Sequence, residues 1–107
     1  MAVTDADEER IVRLLSQDLQ ATLGAGHEAL AVENANRLRQ FIDEPVQYGE
    51  RVVDDTQQDV HDFFIETTWP RCPRHQRHPL WFRENAWWCE EDDVRIAQLG
   101  ELAQNAG

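Results

Sequence analysis

The chain has 107 residues and a formal charge of −11, with 41% hydrophobic and 29% charged residues. That suffices for one small domain with its own core, and no apolar run approaches the ~18 residues of a membrane span. The acidic excess repels phosphate backbones, so strong nucleic-acid binding is not expected.

Charge is unevenly spread. Residues 1–66 hold fifteen Asp or Glu against five Arg, whereas 69–83 hold Arg71, Arg74, Arg77 and Arg83 and no acid. Lysine is absent throughout. Arginine suits bidentate contacts, although genomic base composition also produces lysine-free chains. The acidic N-terminus lacks the basic and apolar regions of a signal peptide, which predicts a cytoplasmic protein with reduced cysteines.

In chain order, Ile11, Leu15, Leu19 and Leu23 form a helical stripe, with Thr4 as its cap and Gly24 and Gly26 as its stop. A second helix is predicted over about 27–43, with Ala31, Ala35, Leu38 and Ile42 on one side and Pro45 ending it. Residues 46–53 read as a loop or a short extended piece. A third helix fits 54–68, started by an Asp55/Gln58 capping box and carrying Val60, Phe63, Phe64 and Thr67 on one face.

Beyond Trp69 the period changes. Leu80-Trp81-Phe82-Arg83 and Ala86-Trp87-Trp88-Cys89, separated by Glu84-Asn85, predict a β-hairpin. Residues 90–93 read as a solvated turn, and 94–99 as a third strand or a short helix. The tail from 103 is expected to fray. The fold class is thus α+β: about three N-terminal helices with a small C-terminal zinc-ribbon-like antiparallel hairpin or three-stranded sheet. The chain reads as a single domain, helical over 1–68 and a Cys/His hairpin part over 69–102, with a separate apolar stripe in each part.

The chemistry concentrates in Cys72-x2-His75-x2-His78-x10-Cys89. Two thiolates and two imidazoles are a ligand set that tetrahedral Zn²⁺ prefers, and a closed shell of this kind is structural. Pro73 sets a tight knuckle, and the hairpin returns Cys89 toward it. Should His78 point away, Glu90, a water or His61 can fill the fourth position. Two other readings stand beside the metal site: reduced cysteines with surface histidines, and a Cys72–Cys89 disulfide, which the reducing compartment opposes.

Residues from about 57 to 102 resemble a group of small actinobacterial proteins that carry Trp-Pro-x-Cys-Pro-x-His, then His-Pro-Leu, then Trp-x-Cys or Trp-Trp-Cys. The resemblance implies a hairpin after the Cys-His run, and it implies no activity.

The expected function is that of a small acidic non-catalytic protein with a structural Zn²⁺ site, acting through contacts with a protein partner. Arg71, Arg74, Arg77 and Trp81 are the expected contact residues, because Trp and Arg are enriched at binding hot spots. The alternative is a nucleic-acid module using the Arg/Trp-rich 69–83 segment. No His-Glu-x-x-His pattern supports a metalloenzyme.

Overall fold

The computed structural model describes residues 2–24, 26–63, 69–75 and 78–102. Three helices, α1 (Asp5–Leu23), α2 (Glu28–Leu38) and α3 (Pro45–Phe63), precede three strands, β1 (Trp81–Arg83), β2 (Ala86–Cys89) and β3 (Val94–Gln98). The strands form one antiparallel sheet in the order β1-β2-β3. The fold is α+β, with the sheet at the C-terminal end.

Thr4 caps α1 in a full capping box. Its side chain accepts from the Asp7 N–H, and the Asp7 carboxylate accepts in return from the Thr4 N–H. Ile11, Leu15 and Leu19 bury the inner stripe as their spacing requires. In α2, Ala31, Ala35 and Leu38 are buried, small enough for the helices to pack closely. The helix ends at Leu38, short of the expected 43, and leaves Phe41 largely exposed.

Pro45 opens α3, whereas its sequence position suggested a stop. The first helical position tolerates proline because its missing N–H would have had no intrahelical acceptor. Glu44 completes the start: its carboxylate accepts from the Gln47 N–H and its carbonyl from the Tyr48 N–H. Residues 46–53 are therefore helical, and Tyr48, Val52, Thr56 and Val60 recur every four residues as a buried row. Asp55 and Gln58 lie mid-helix, so they are not a capping box. Asp55 instead pairs with Arg37 at 2.6 Å and with Arg51 at 3.0 Å. Phe64, Thr67 and the rest of the expected helix to 68 lie outside the described residues, as does the tail from 103.

The hairpin turns at Glu84-Asn85, both with positive φ of 51° and 62°, the two-residue turn whose twist matches the flanking strands. Phe82 faces Trp87 across the strands, and their rings meet edge-on at 5.1 Å between centroids. A second turn over 90–93 leads into β3.

Helices and sheet share one core. It runs from Ile11, Leu15 and Leu19 through Val52 and Val60 to Trp69, Leu80, Trp87 and Leu102. The expectation of two separate apolar stripes is thereby corrected. The buried Asp18 explains the union: its carboxylate accepts from the Trp87 indole at 2.8 Å, the Gly100 N–H at 2.7 Å and the Leu102 N–H at 3.0 Å. Trp69 adds a second tie by donating from its indole to Thr22 Oγ1 at 2.7 Å.

Candidate metal centre

Two tight loops meet at the outer end of the hairpin. The first carries Cys72 and His75. The Cys72 N–H donates to the His78 carbonyl at 3.1 Å, and the His78 N–H donates to the His75 carbonyl at 2.9 Å. An isolated bridge between Arg71 and Pro79 and the Leu80 N–H bond to the Pro70 carbonyl close the loop's base. The second loop leaves β2 at Cys89 and turns at Asp92, whose N–H donates to Cys89 Sγ at 3.4 Å.

Together these loops bring one ligand atom each from His75, Cys89 and Asp92 within 4.8 Å of one another. This sulfur, nitrogen and oxygen group could hold a metal ion. Cys72 and Cys89 are both free thiols, and each is only 1% exposed. Burial pushes the Cys89 thiol up, the Asp92 N–H pulls it the other way, and the adjoining Cys72 thiol adds to the rise. Cys72, buried on the first loop, is not one of the three residues of that group.

Asp92 is fixed from two sides. Its Oδ2 accepts from Arg74 Nε at 2.6 Å and lies 3.1 Å from His75 Nε2. The Arg74 guanidinium, then the His75 ring, hold its carboxyl below the usual carboxylate range. A carboxylate kept ionised in this way is ready to bind a cation.

The other expected site residues fall as follows. The exposed His78 ring, with its centroid 6.3 Å from that of His75, lies outside the three-residue group, while its backbone closes the first loop. Glu90 and His61 line a groove with Asp54 and Trp81, and neither joins the group. Arg71 is exposed, Arg74 is committed to Asp92, and Arg77 lies outside the described residues. Trp81 is 49% exposed, with the Arg83 guanidinium 5.2 Å from its ring centre. That same guanidinium sits 4.1 Å from the Trp88 ring centre.

Sequence reasoning missed Asp92, which it placed in a solvated turn. The available signal was spacing: Cys89-x2-Asp92 repeats the step of Cys72-x2-His75.

No family model, curated protein or solved structure matches the chain. Among the described residues, no helix is long and apolar enough to cross a membrane.

Proposed function

We propose that this chain is a small non-catalytic zinc protein whose metal site is structural and whose work is done through contacts with a protein partner. The observation that carries the reading is the convergence of His75, Cys89 and Asp92 within 4.8 Å at the meeting of two loops. Cys72, a buried free thiol three residues before His75, would supply the fourth ligand of a Cys₂-His-Asp set of two knuckles, each with ligands three residues apart. Two thiolates favour zinc over magnesium or calcium, which prefer all-oxygen shells. Four protein ligands would leave no open position, which is the mark of a structural site. His78 is left out of this set because its ring lies on the outside.

A structural ion makes sense where it would sit. The loops over 72–75 and 90–93 bury little beyond Cys72, and residues 90–93 are all exposed acids. Zinc would supply a bond between the loops, and Asp92 would be positioned for it by Arg74.

The contact face reduces to Trp81 and Arg71, because Arg74 is tied to Asp92. Trp69 and Trp87 are buried in the core, so they support this mini-core rather than base stacking.

Elemental analysis with a thiol count tests the reading. One zinc per chain with both thiols masked is expected, whereas metal-free protein with two freely reacting thiols contradicts it. For the face, Arg71→Ala with Trp81→Ala is expected to lose a partner that the wild type retains. Retention of every partner contradicts that face.

A further inference from the structure

An open groove of ≈ 320 Å³ lies between α3 and the start of the sheet. Asp54, Gln57 and His61 line it from α3, at helical steps that put them on one face. Leu80 and Trp81 line it where the chain enters β1, and Glu90 where it leaves β2. The groove is preformed. Its helix and strand are locked together by the Gln57 side-chain amide, which donates to the Leu80 carbonyl at 2.9 Å and to the Trp69 carbonyl at 3.0 Å.

Negative charge meets an aromatic surface here. Among the described residues, no cation lies within ion-pair distance of Asp54 or Glu90. Nearby arginines are committed elsewhere: Arg51 to Asp55 at 3.0 Å, and Arg83 to Asp93. Partial burial raises the Asp54 carboxyl, and the charges of Glu50 and Asp55 add to the rise. The groove thus carries uncompensated negative charge beside a Trp81 ring that is 49% exposed. Two carboxylates and an indole suit a guanidinium, whose N–H fork donates to carboxylate oxygens and whose flat face stacks on aromatic rings.

We propose that this groove docks an arginine side chain presented by a basic segment of a protein partner. The inference rests on the partner-contact reading above, in which Trp81 belongs to the contact face, and it adds the chemistry of that partner. It does not depend on the metal site. The net charge of −11 attracts a basic segment before contact and repels acidic competitors. Leu80 supplies apolar surface for the methylene stem of the incoming side chain.

The test titrates the isotope-labelled full chain with the capped peptide Gly-Ser-Arg-Ser-Gly, up to millimolar concentration, and with a twin that carries neutral citrulline in place of arginine. The arginine peptide is expected to shift the Trp81 indole and Gln57 side-chain amide signals. It should bind about tenfold more tightly than its twin, which has the same shape and no charge. Asp54→Asn preserves the shape of an exposed side chain and should weaken the arginine peptide about threefold. Added salt should weaken it as well. Equal affinity for the two peptides, an Asp54→Asn variant that binds like the wild type, or shifts confined to other surfaces overturns the groove. An absence of shifts at millimolar peptide also overturns it. In each of these cases the contact face stands if Arg71→Ala with Trp81→Ala still loses its partner. Retention of every partner by that double variant overturns the face itself, independently of the peptide.

Discussion

The indole of Trp87 donates to the carboxylate of Asp18 at 2.8 Å, joining residues 69 positions apart. Both are fully buried, so the first helix and the middle strand meet through a charged acceptor inside the core. Two further N–H groups, from Gly100 and Leu102, converge on the same carboxylate. The sheet that carries the candidate metal-site loops is therefore anchored to the helices by these bonds, whether or not an ion is bound.

Asp18→Ala strands three buried donors at once. An unsatisfied buried group costs about 1–3 kcal/mol, and the expected loss is at least about 3 kcal/mol in urea unfolding. Asp18→Asn keeps one oxygen acceptor and should lose less. An alanine variant as stable as the wild type would remove Asp18 from the core's support.

The same residue sets a pH dependence. Burial raises the Asp18 carboxyl above 3.8, against the lowering effect of the Trp87, Gly100 and Leu102 bonds. The native state therefore holds this proton more tightly than the unfolded chain does. Its contribution to stability is full below 3.8 and declines as pH rises through the raised native value. The stability difference between wild type and Asp18→Asn, measured in chelator from about pH 4 to about pH 7, should shift against the wild type as pH rises. A pH-independent difference contradicts the raised value.

Chelation should act locally. Because Trp69 and Trp87 sit in the shared core, removing metal is expected to free the loop amides and leave the helices intact. Hydrogen exchange checks this: the Cys72, His78 and Asp92 amides should lose protection, while α3 amides near Val52 and Val60 keep theirs. Exchange spreading through α3 would show instead that the ion supports the whole domain.

Gly100 follows β3 at φ +93°, and an added Cβ would meet Leu14 Cδ2 at 2.7 Å and Gln17 Oε1 at 3.1 Å. Gly100→Ala combines a left-handed backbone with a clash against α1, so a loss above about 1 kcal/mol is expected. Gly24→Ala has no such neighbour and should show the backbone cost alone. Equal losses at the two positions would mean that α1 does not pack against the end of the sheet.

Local signals carried much of this fold into the sequence. Thr4 with Asp7, the stripe from Ile11 to Leu19, and Glu84-Asn85 between aromatic runs each act within a few residues. The start of α3 was obscured because Pro45 is compatible with both an end and a beginning. The four-residue row from Tyr48 to Val60 decides between them. Asp18 read as an ordinary surface acid, since its partners Trp87, Gly100 and Leu102 are remote in sequence. At the candidate site, His75 and Cys89 were legible from residue type and spacing. Asp92 was hidden in an acidic run, and only the returning loop distinguishes it from Glu90, Glu91 and Asp93.

Cobalt substitution tests the central claim most directly, because Co²⁺ occupies zinc sites and reports its ligands by colour. The account predicts one Co²⁺ per chain with strong tetrahedral visible bands and near-ultraviolet thiolate charge-transfer absorption. Charge transfer should fall by about half in Cys72→Ser and in Cys89→Ser, as expected when each supplies one of two thiolates. Asp92→Ala should disturb the visible bands, whereas His78→Ala should leave the spectrum unchanged. A pale octahedral spectrum without charge transfer, or one indifferent to both cysteine substitutions, would contradict the claim.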